Sequence, residues 1–243
     1  MHFRILFLLL AASLPARAID GKEILNRIDR NNGWKTMTSR ASMEIMIDNE
    51  VRTKTMTITG MSDGNRSLVT FTNPGDEGTR YLMLGKDLWI YFPEENDVVK
   101  ISGHMLKEGM MGSDVSYEDA LEADQLTKKY DVVISGDTLI DSAECYVLTL
   151  TAVVKDAPYY RRVMCVDKKR FVPLTEESYA KSGKLLKTVR VLEIRKIGTL
   201  YYPVKIVMKN TLRKNSRTVF TSSDIVFDGP VDPQLFTMRN LRR

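Results

Sequence analysis

Gly85–Glu122 reads GKDLWIYFPEENDVVKISGHMLKEGMMGSDVSYEDALE, and the fold turns on this stretch. Leu88 to Phe92 and Asp97 to Ile101 have strand character around the turn Pro93-Glu94-Glu95-Asn96. From Ser102 to Gly112 the two-residue period stops. Gly103, Gly109 and Gly112 make the backbone permissive, while Met105, Leu106, Met110 and Met111 place apolar side chains in a polar setting. Ser116-Tyr117-Glu118-Asp119 then forms a capping box, with acids where the helix dipole favours them. A break of this kind between runs of strands marks a segment that crosses or covers a sheet. It reads as the mouth and lid of an open barrel.

Strand signals continue on both sides. Asp20 to Asn31 is an amphipathic helix with Asp20 as its cap and Ile24, Leu25 and Ile28 as its apolar stripe; Trp34 follows and could pin it to the sheet. From Met37 the period becomes two. Ala41, Met43, Ile45 and Ile47 share one face, then Met56 and Ile58 share a face of the next strand. Ser67 to Thr72 and Thr79 to Leu84 lead into the opening stretch. After it, Tyr130 to Ser135, Glu144 to Val154, Tyr159 to Asp167, Phe171 to Ala180, Lys184 to Arg195, Leu200 to Lys209 and Arg217 to Phe227 are strand-like runs; Gly136-Asp137 is among the breaks between them. Evenly spaced strands with few helices between them predict an antiparallel meander. A sheet of this many strands must curl to bury its apolar face. The expected fold is mostly β: a single half-open antiparallel barrel with short lid helices and an N-terminal helix.

The chain starts with a short basic region (Arg4), an apolar run from Ile5 to Leu14, and Ala16-Arg17-Ala18 as a small-residue cleavage site. Residues 1–18 therefore read as a secretory signal peptide and residues 19–243 as one exported domain. The apolar run is about half of the ~20 residues a membrane span needs. No Cys stands near the cleavage site, so no lipid anchor is expected there. The formal charge is +5, of which Arg4 and Arg17 in the leader supply two. The remaining mild basicity is spread along strands and suits transient contact with anionic headgroups. An export signal without a basic patch interleaved with aromatics argues against nucleic acid. A monomer is expected.

Cys145 and Cys165 lie on adjacent strand-like runs in an exported chain, where a disulfide is permitted. A hairpin register leaves them a few residues out of line, so a bridge and two buried thiols both stand open. Catalytic and metal chemistry has few candidates. His104 is the one histidine after the leader, and no H-E-x-x-H, G-x-S-x-G, Walker loop or G-x-G-x-x-G occurs. Ser178-Tyr179-Ala180-Lys181 matches S-x-x-K but runs into a strand turn, where that motif has no function. Asp114, Glu118 and Asp119 fit a helix cap better than a calcium site. No catalytic residue, metal or cofactor is expected. What remains is apolar: twelve methionines follow Met1, and methionine suits either a pocket for a flexible ligand or an irregular core.

Leu88-Trp89-Ile90-Tyr91-Phe92-Pro93, Val99-Lys100-Ile101-Ser102 and Met111-Gly112-Ser113-Asp114-Val115-Ser116-Tyr117-Glu118-Asp119 carry a family resemblance. It continues through Tyr179 to Lys187, Tyr202-Pro203 and Phe236 to Leu241. Across these segments the chain resembles the LolA-like outer-membrane lipoprotein-sorting proteins of Gram-negative bacteria. The resemblance implies a half-open barrel lidded by short helices whose concave face holds acyl chains in the periplasm. Its cargo would be lipoprotein, phospholipid or another lipid, moved toward the outer membrane. It also implies a possible inner-membrane partner, since some members are associated with transporters of the resistance-nodulation-division type.

On this reading Met43, Ile45, Met56, Ile58, Trp89, Val204, Ile206 and Met208 line the lipid-binding cavity, and Met105, Leu106, Met110 and Met111 belong to the lid. Two other classes compete. One is a non-enzymatic accessory subunit of such a transporter, with a filled barrel. The other is a lipid-ester hydrolase, which would need a serine or acid beside His104.

Overall fold

The computed structural model describes residues 19–122 and 126–242; the leader read at residues 1–18 lies outside the described residues. Thirteen strands form one antiparallel sheet. They are β1 (Thr36–Ile47), β2 (Glu50–Met61), β3 (Arg66–Phe71), β4 (Arg80–Leu84), β5 (Asp87–Phe92), β6 (Asp97–Ile101), β7 (Tyr130–Ile140), β8 (Ala143–Ala152), β9 (Arg161–Asp167), β10 (Pro173–Tyr179), β11 (Leu185–Ile197), β12 (Leu200–Asn210) and β13 (Ser216–Phe227). The spatial order is β6-β5-β4-β3-β2-β1-β13-β12-β11-β10-β9-β8-β7. Two meanders are thus joined where the first strand pairs with the last, and β6 and β7 are the two edges.

Turn chemistry sets the registers. Asp48 and Asn49 both have positive φ, 47° and 72°, which gives the β1–β2 hairpin a two-residue turn matched to strand twist. Gly136-Asp137 is not a break. The strand passes through it as a bulge between Ile134 and Gly136, and the chain reverses at Asp141 and Ser142, with φ of 46° and 67°.

Short helices occupy one face of the sheet, called here the inner face. Helix α1 (Gly21–Asn31) is capped by Asp20, whose carboxylate accepts from the Glu23 amide. Its stripe Ile24, Leu25 and Ile28 is buried against Tyr130, Leu148, Leu150, Met164 and Val166 of β7–β9. Two 3-10 turns, Gly103–Lys107 and Met110–Gly112, and then α2 (Tyr117–Leu121) and α3 (Leu126–Lys129) connect β6 to β7. Ser116 and Asp119 make the capping box of α2 in both directions.

The other face is covered at one end by the C-terminal segment, including α4 (Met238–Leu241). Phe236 and Leu241 pack there on Leu68, Leu82 and Tyr91. Trp34 stacks on Phe227 at 6.3 Å between ring centroids and lies against Gly60, so it anchors the end of α1 to the sheet. The sheet curls far enough for the β4–β5 turn to reach the β8–β9 connection, where Lys86 pairs with Asp156 at 2.9 Å.

Candidate functional site: a lidded apolar face

The paired registers place Met43, Met56, Phe71, Tyr81 and Ile90 on the inner face. With Ala41, Ile45, Val69, Met83, Leu88 and Ile101 they form one buried apolar cluster. Met110 of the lid is buried in that cluster, and Leu106, Met111, Tyr117 and Leu121 pack on it. The inner face is therefore covered twice: by the lid over β1–β6 and by α1 over β7–β9. Between the covers Val189, Val191, Ile206 and Met208 share rows across β11 and β12 and are only half-buried.

Most of the predicted lining residues gather here. Met43, Ile45 and Met56 are buried and Ile58 is half-buried in the cluster. Val204 is buried, and Ile206 and Met208 face the uncovered strip. Trp89 is a correction. It pairs with Leu82 and Lys100, whose side chains point to the other face, and it packs beside Tyr91 under the C-terminal segment. A strand alternates faces, so Leu88 and Ile90 take the inner positions that Trp89 was expected to hold. Of the lid residues, Met105 points outward at 37% exposure. His104 is exposed. Cys145 and Cys165 are free thiols. They are diagonal neighbours, since Cys145 opposes Asp167 and Cys165 opposes Val147, a separation of about 7–8 Å that exceeds disulfide reach. Among the described residues no group of His, Cys, Asp and Glu is placed to hold a metal ion.

Polar contacts hold the lid. Asp114, 2% exposed, accepts from Asn210 N at 3.0 Å, Ser216 Oγ at 2.6 Å and Thr218 Oγ1 at 2.9 Å. Asp119 pairs with Lys187 and accepts from Tyr159 Oη at 2.6 Å. Glu122 pairs with Arg162, whose other Nη lies 3.2 Å from Glu176. Arg162, Ser178 and Lys187 are register partners across β9, β10 and β11. Three lid acids therefore land in order on β12–β13, β11 and β9. Sequence reasoning did not single out this row. The signal was present: Arg162 shares strand parity with Met164 and Val166, and Lys187 with Val189 and Val191, so each is a charge on an apolar face.

The electrostatics follow from burial and partners. Burial works to raise the Asp119 carboxyl, but Lys187, Tyr159 and Ser116 outweigh it and hold it below its ordinary value. Burial raises Glu122 above its ordinary value, against the pull of Arg162 and Lys129. Glu118 is raised for the same first reason. Burial opposes the charge on Arg162, yet Glu176 and Glu122 hold its proton more tightly than usual. A raised acid makes the folded state gain stability as pH falls through its folded pKa. A lowered acid makes it lose stability as pH falls below the ordinary value. Lid closure is expected to tighten as pH falls toward the ordinary carboxylate range, about pH 4, and to loosen below it. Hydrogen exchange of lid amides, corrected for intrinsic rates, checks this; monotonic loosening from neutrality would contradict it.

Two backbone features make the lid a separate unit. Met111 has φ 52° and ψ 26°, a left-handed conformation uncommon for a methionine. Gly109 packs so closely that a Cβ there would lie 2.0 Å from the Ser113 carbonyl oxygen. Gly109→Ala is therefore expected to undo the 109–116 loop and uncover the inner face while sparing the ladders. The check is increased binding of a hydrophobic dye with an unchanged far-ultraviolet strand signal.

A depression of about 530 Å³ lies on the opposite face, between Arg40, Ser42, Thr55, Thr57 and Thr221. Ala41 and Met56 also border it, but Arg40, Ser42, Thr55, Thr57 and Thr221 open it to the opposite side of β1 and β2, away from the lid.

A family model described as an uncharacterized protein matches residues 63–243. The chain belongs to this DUF1329-like family. A DUF1329 family protein from Desulfovibrio piger is similar to it over 91% of this chain and 97% of that one, with 28% identity and a TM-score of 0.85. A domain assigned to outer membrane lipoprotein sorting from Vibrio parahaemolyticus is similar at 23% identity and TM-score 0.79, over 90% and 98% of the two chains. A LolA superfamily protein from Nitrosomonas europaea is similar at 23% identity and TM-score 0.76, over 92% and 100%. The fold of this DUF1329-like chain is thus the LolA-like open sheet. Comparison with curated proteins gives no match. No described helix is long and apolar enough to cross a membrane.

Proposed function

We propose that this protein is a periplasmic carrier. It shelters acyl chains of lipoproteins or other lipids on its inner face and moves them toward the outer membrane. The observation that carries the reading is the lid: Met110, Leu106 and Met111 sit on the apolar face as removable occupants, while buried polar contacts hold the lid in place.

Each CH₂ taken from water is worth ~0.8 kcal/mol, so a chain of ~16 carbons is worth on the order of 12 kcal/mol. A hydrocarbon of that size displaces the lid from the cluster and must itself be displaced at a membrane or by a partner. The work is binding and transfer, not catalysis. The protein acts as a monomer, touches membranes transiently and takes or delivers cargo with an inner-membrane transporter as a candidate partner.

Native mass spectrometry of protein purified from the periplasm, followed by lipid extraction, tests this. Acyl lipid bound to the intact protein is expected. A clean unliganded mass, with refusal of added fluorescent fatty acid, would move the reading to an accessory subunit.

A further inference from the structure

We propose that Lys187 and Arg162 form a binding site for the acidic headgroup of the cargo, and that the lid carboxylates Asp119 and Glu122 hold that site when no cargo is bound. The proposal rests on the carrier reading and names its substrate class: an anionic amphiphile, with a phosphate or carboxylate at the end of its chain.

Both cations are built into an apolar wall. Lys187 and Arg162 are each 5% exposed. They stand two strands apart in one cross-strand row, with Ser178 between them. Strands lie ~4.8 Å apart, so the two backbones are separated by about 10 Å, a gap that two long side chains close around one acid group. The next rows toward the open strip carry Val189 and Met208, then Val191 and Ile206. An apolar track therefore ends at the two cations.

In the closed state the acids on that site come from the lid alone, apart from Glu176. Asp119 takes Lys187 and the Tyr159 hydroxyl; Glu122 takes Arg162. When cargo lifts the lid, both acids leave together because α2 and the residue after it carry them. The wall keeps two positive charges and one negative, Glu176, in a site poor in water. Leaving a buried charge without its partner is strongly unfavourable. A neutral lipid would fill the track and leave those donors unmatched. A single acidic headgroup takes the place of both lid carboxylates and matches the one net positive charge left by Lys187, Arg162 and Glu176. Cargo choice and lid opening are therefore the same event: the headgroup competes with the lid for the same cations.

Calorimetric titration with decyl phosphate, decanol and inorganic phosphate, each below its micelle concentration, tests this on the full chain. The wild type is expected to bind decyl phosphate at least about tenfold tighter than decanol. Lys187→Met should bring the two within about twofold. Asp119→Asn should raise decyl phosphate affinity, because it removes the competitor for Lys187, so the test survives if Lys187→Met fails to fold. Equal binding of decyl phosphate and decanol by the wild type would overturn the headgroup site and leave the carrier standing. Inorganic phosphate bound as tightly as decyl phosphate would also overturn it, in favour of a free-anion site. Binding of none of the three would remove the carrier reading itself.

Discussion

Arg162→Met is expected to destabilise the protein by about 3–5 kcal/mol, measured as a shift in urea midpoint. Arg162 is 5% exposed and lies against two carboxylates, Glu122 and Glu176. Its Nε also donates to Tyr130 Oη at 3.2 Å, and its guanidinium lies over the Tyr130 and Tyr159 rings at 5.2 and 5.0 Å. Methionine fills similar volume but supplies neither charge nor donors, so Glu176 loses its cation and Glu122 keeps only Lys129, 3.8 Å away. The lost pairing is not the main effect; the unmatched charge is. Arg162→Met combined with Glu122→Gln and Glu176→Gln should therefore recover most of the loss. A single variant within about 1 kcal/mol of wild type would mean that solvent reaches these groups as it reaches surface pairs.

Ile206→Glu is expected to abolish acyl binding while the protein stays folded. Ile206 is half-buried on the uncovered strip, opposite Val191 on β11 and Phe220 on β13. In the closed protein a glutamate there can turn to water. Under an acyl chain it is buried without a cation, at a cost of several kcal/mol. Since each 1.4 kcal/mol is tenfold, affinity should fall by about two orders of magnitude or more. Thr57→Glu adds the same charge at an exposed position on the opposite face and should change nothing. Met43 is unsuited to this comparison because it is 0% exposed under the lid, and a charge there would unfold the cluster. Fluorescent fatty-acid titration with circular dichroism reads both outcomes. Equal loss in both variants would mean that added charge, and not the face, is responsible.

Strand number and hairpin order were legible because most strands alternate cleanly and are closed by Asn, Asp or Gly turns. The capping box at Ser116 and Asp119 was equally plain, because its chemistry is local. Gly136-Asp137 misled, since a bulge and a turn use the same residues and differ only in whether a partner strand continues alongside. Trp89 misled for a different reason. Both faces of β5 are buried, one by the lid and one by the C-terminal segment, so hydrophobicity alone does not choose between them. The lid latch was hidden because its parts are far apart in sequence: Asp119 to Lys187 spans 68 residues and Glu122 to Arg162 spans 40. Parity exposes each cation as an anomaly, but only the fold shows what answers it.

The free edges at β6 and β7 carry one more consequence. A closed barrel has its girth fixed by the stagger of a continuous hydrogen-bond ladder, and no wider molecule fits without breaking rungs. Here, among the described residues, the ladder ends at β6 and β7 with no pairing across the seam, and the β4–β5 turn meets the β8–β9 connection through an exposed ion pair, Lys86 with Asp156. Such a pair is worth little against water. On the carrier reading proposed above, the wall would spread like an open cuff, admitting one chain or several at nearly constant backbone cost. Capacity would then follow how far the cuff yields rather than a fixed bore.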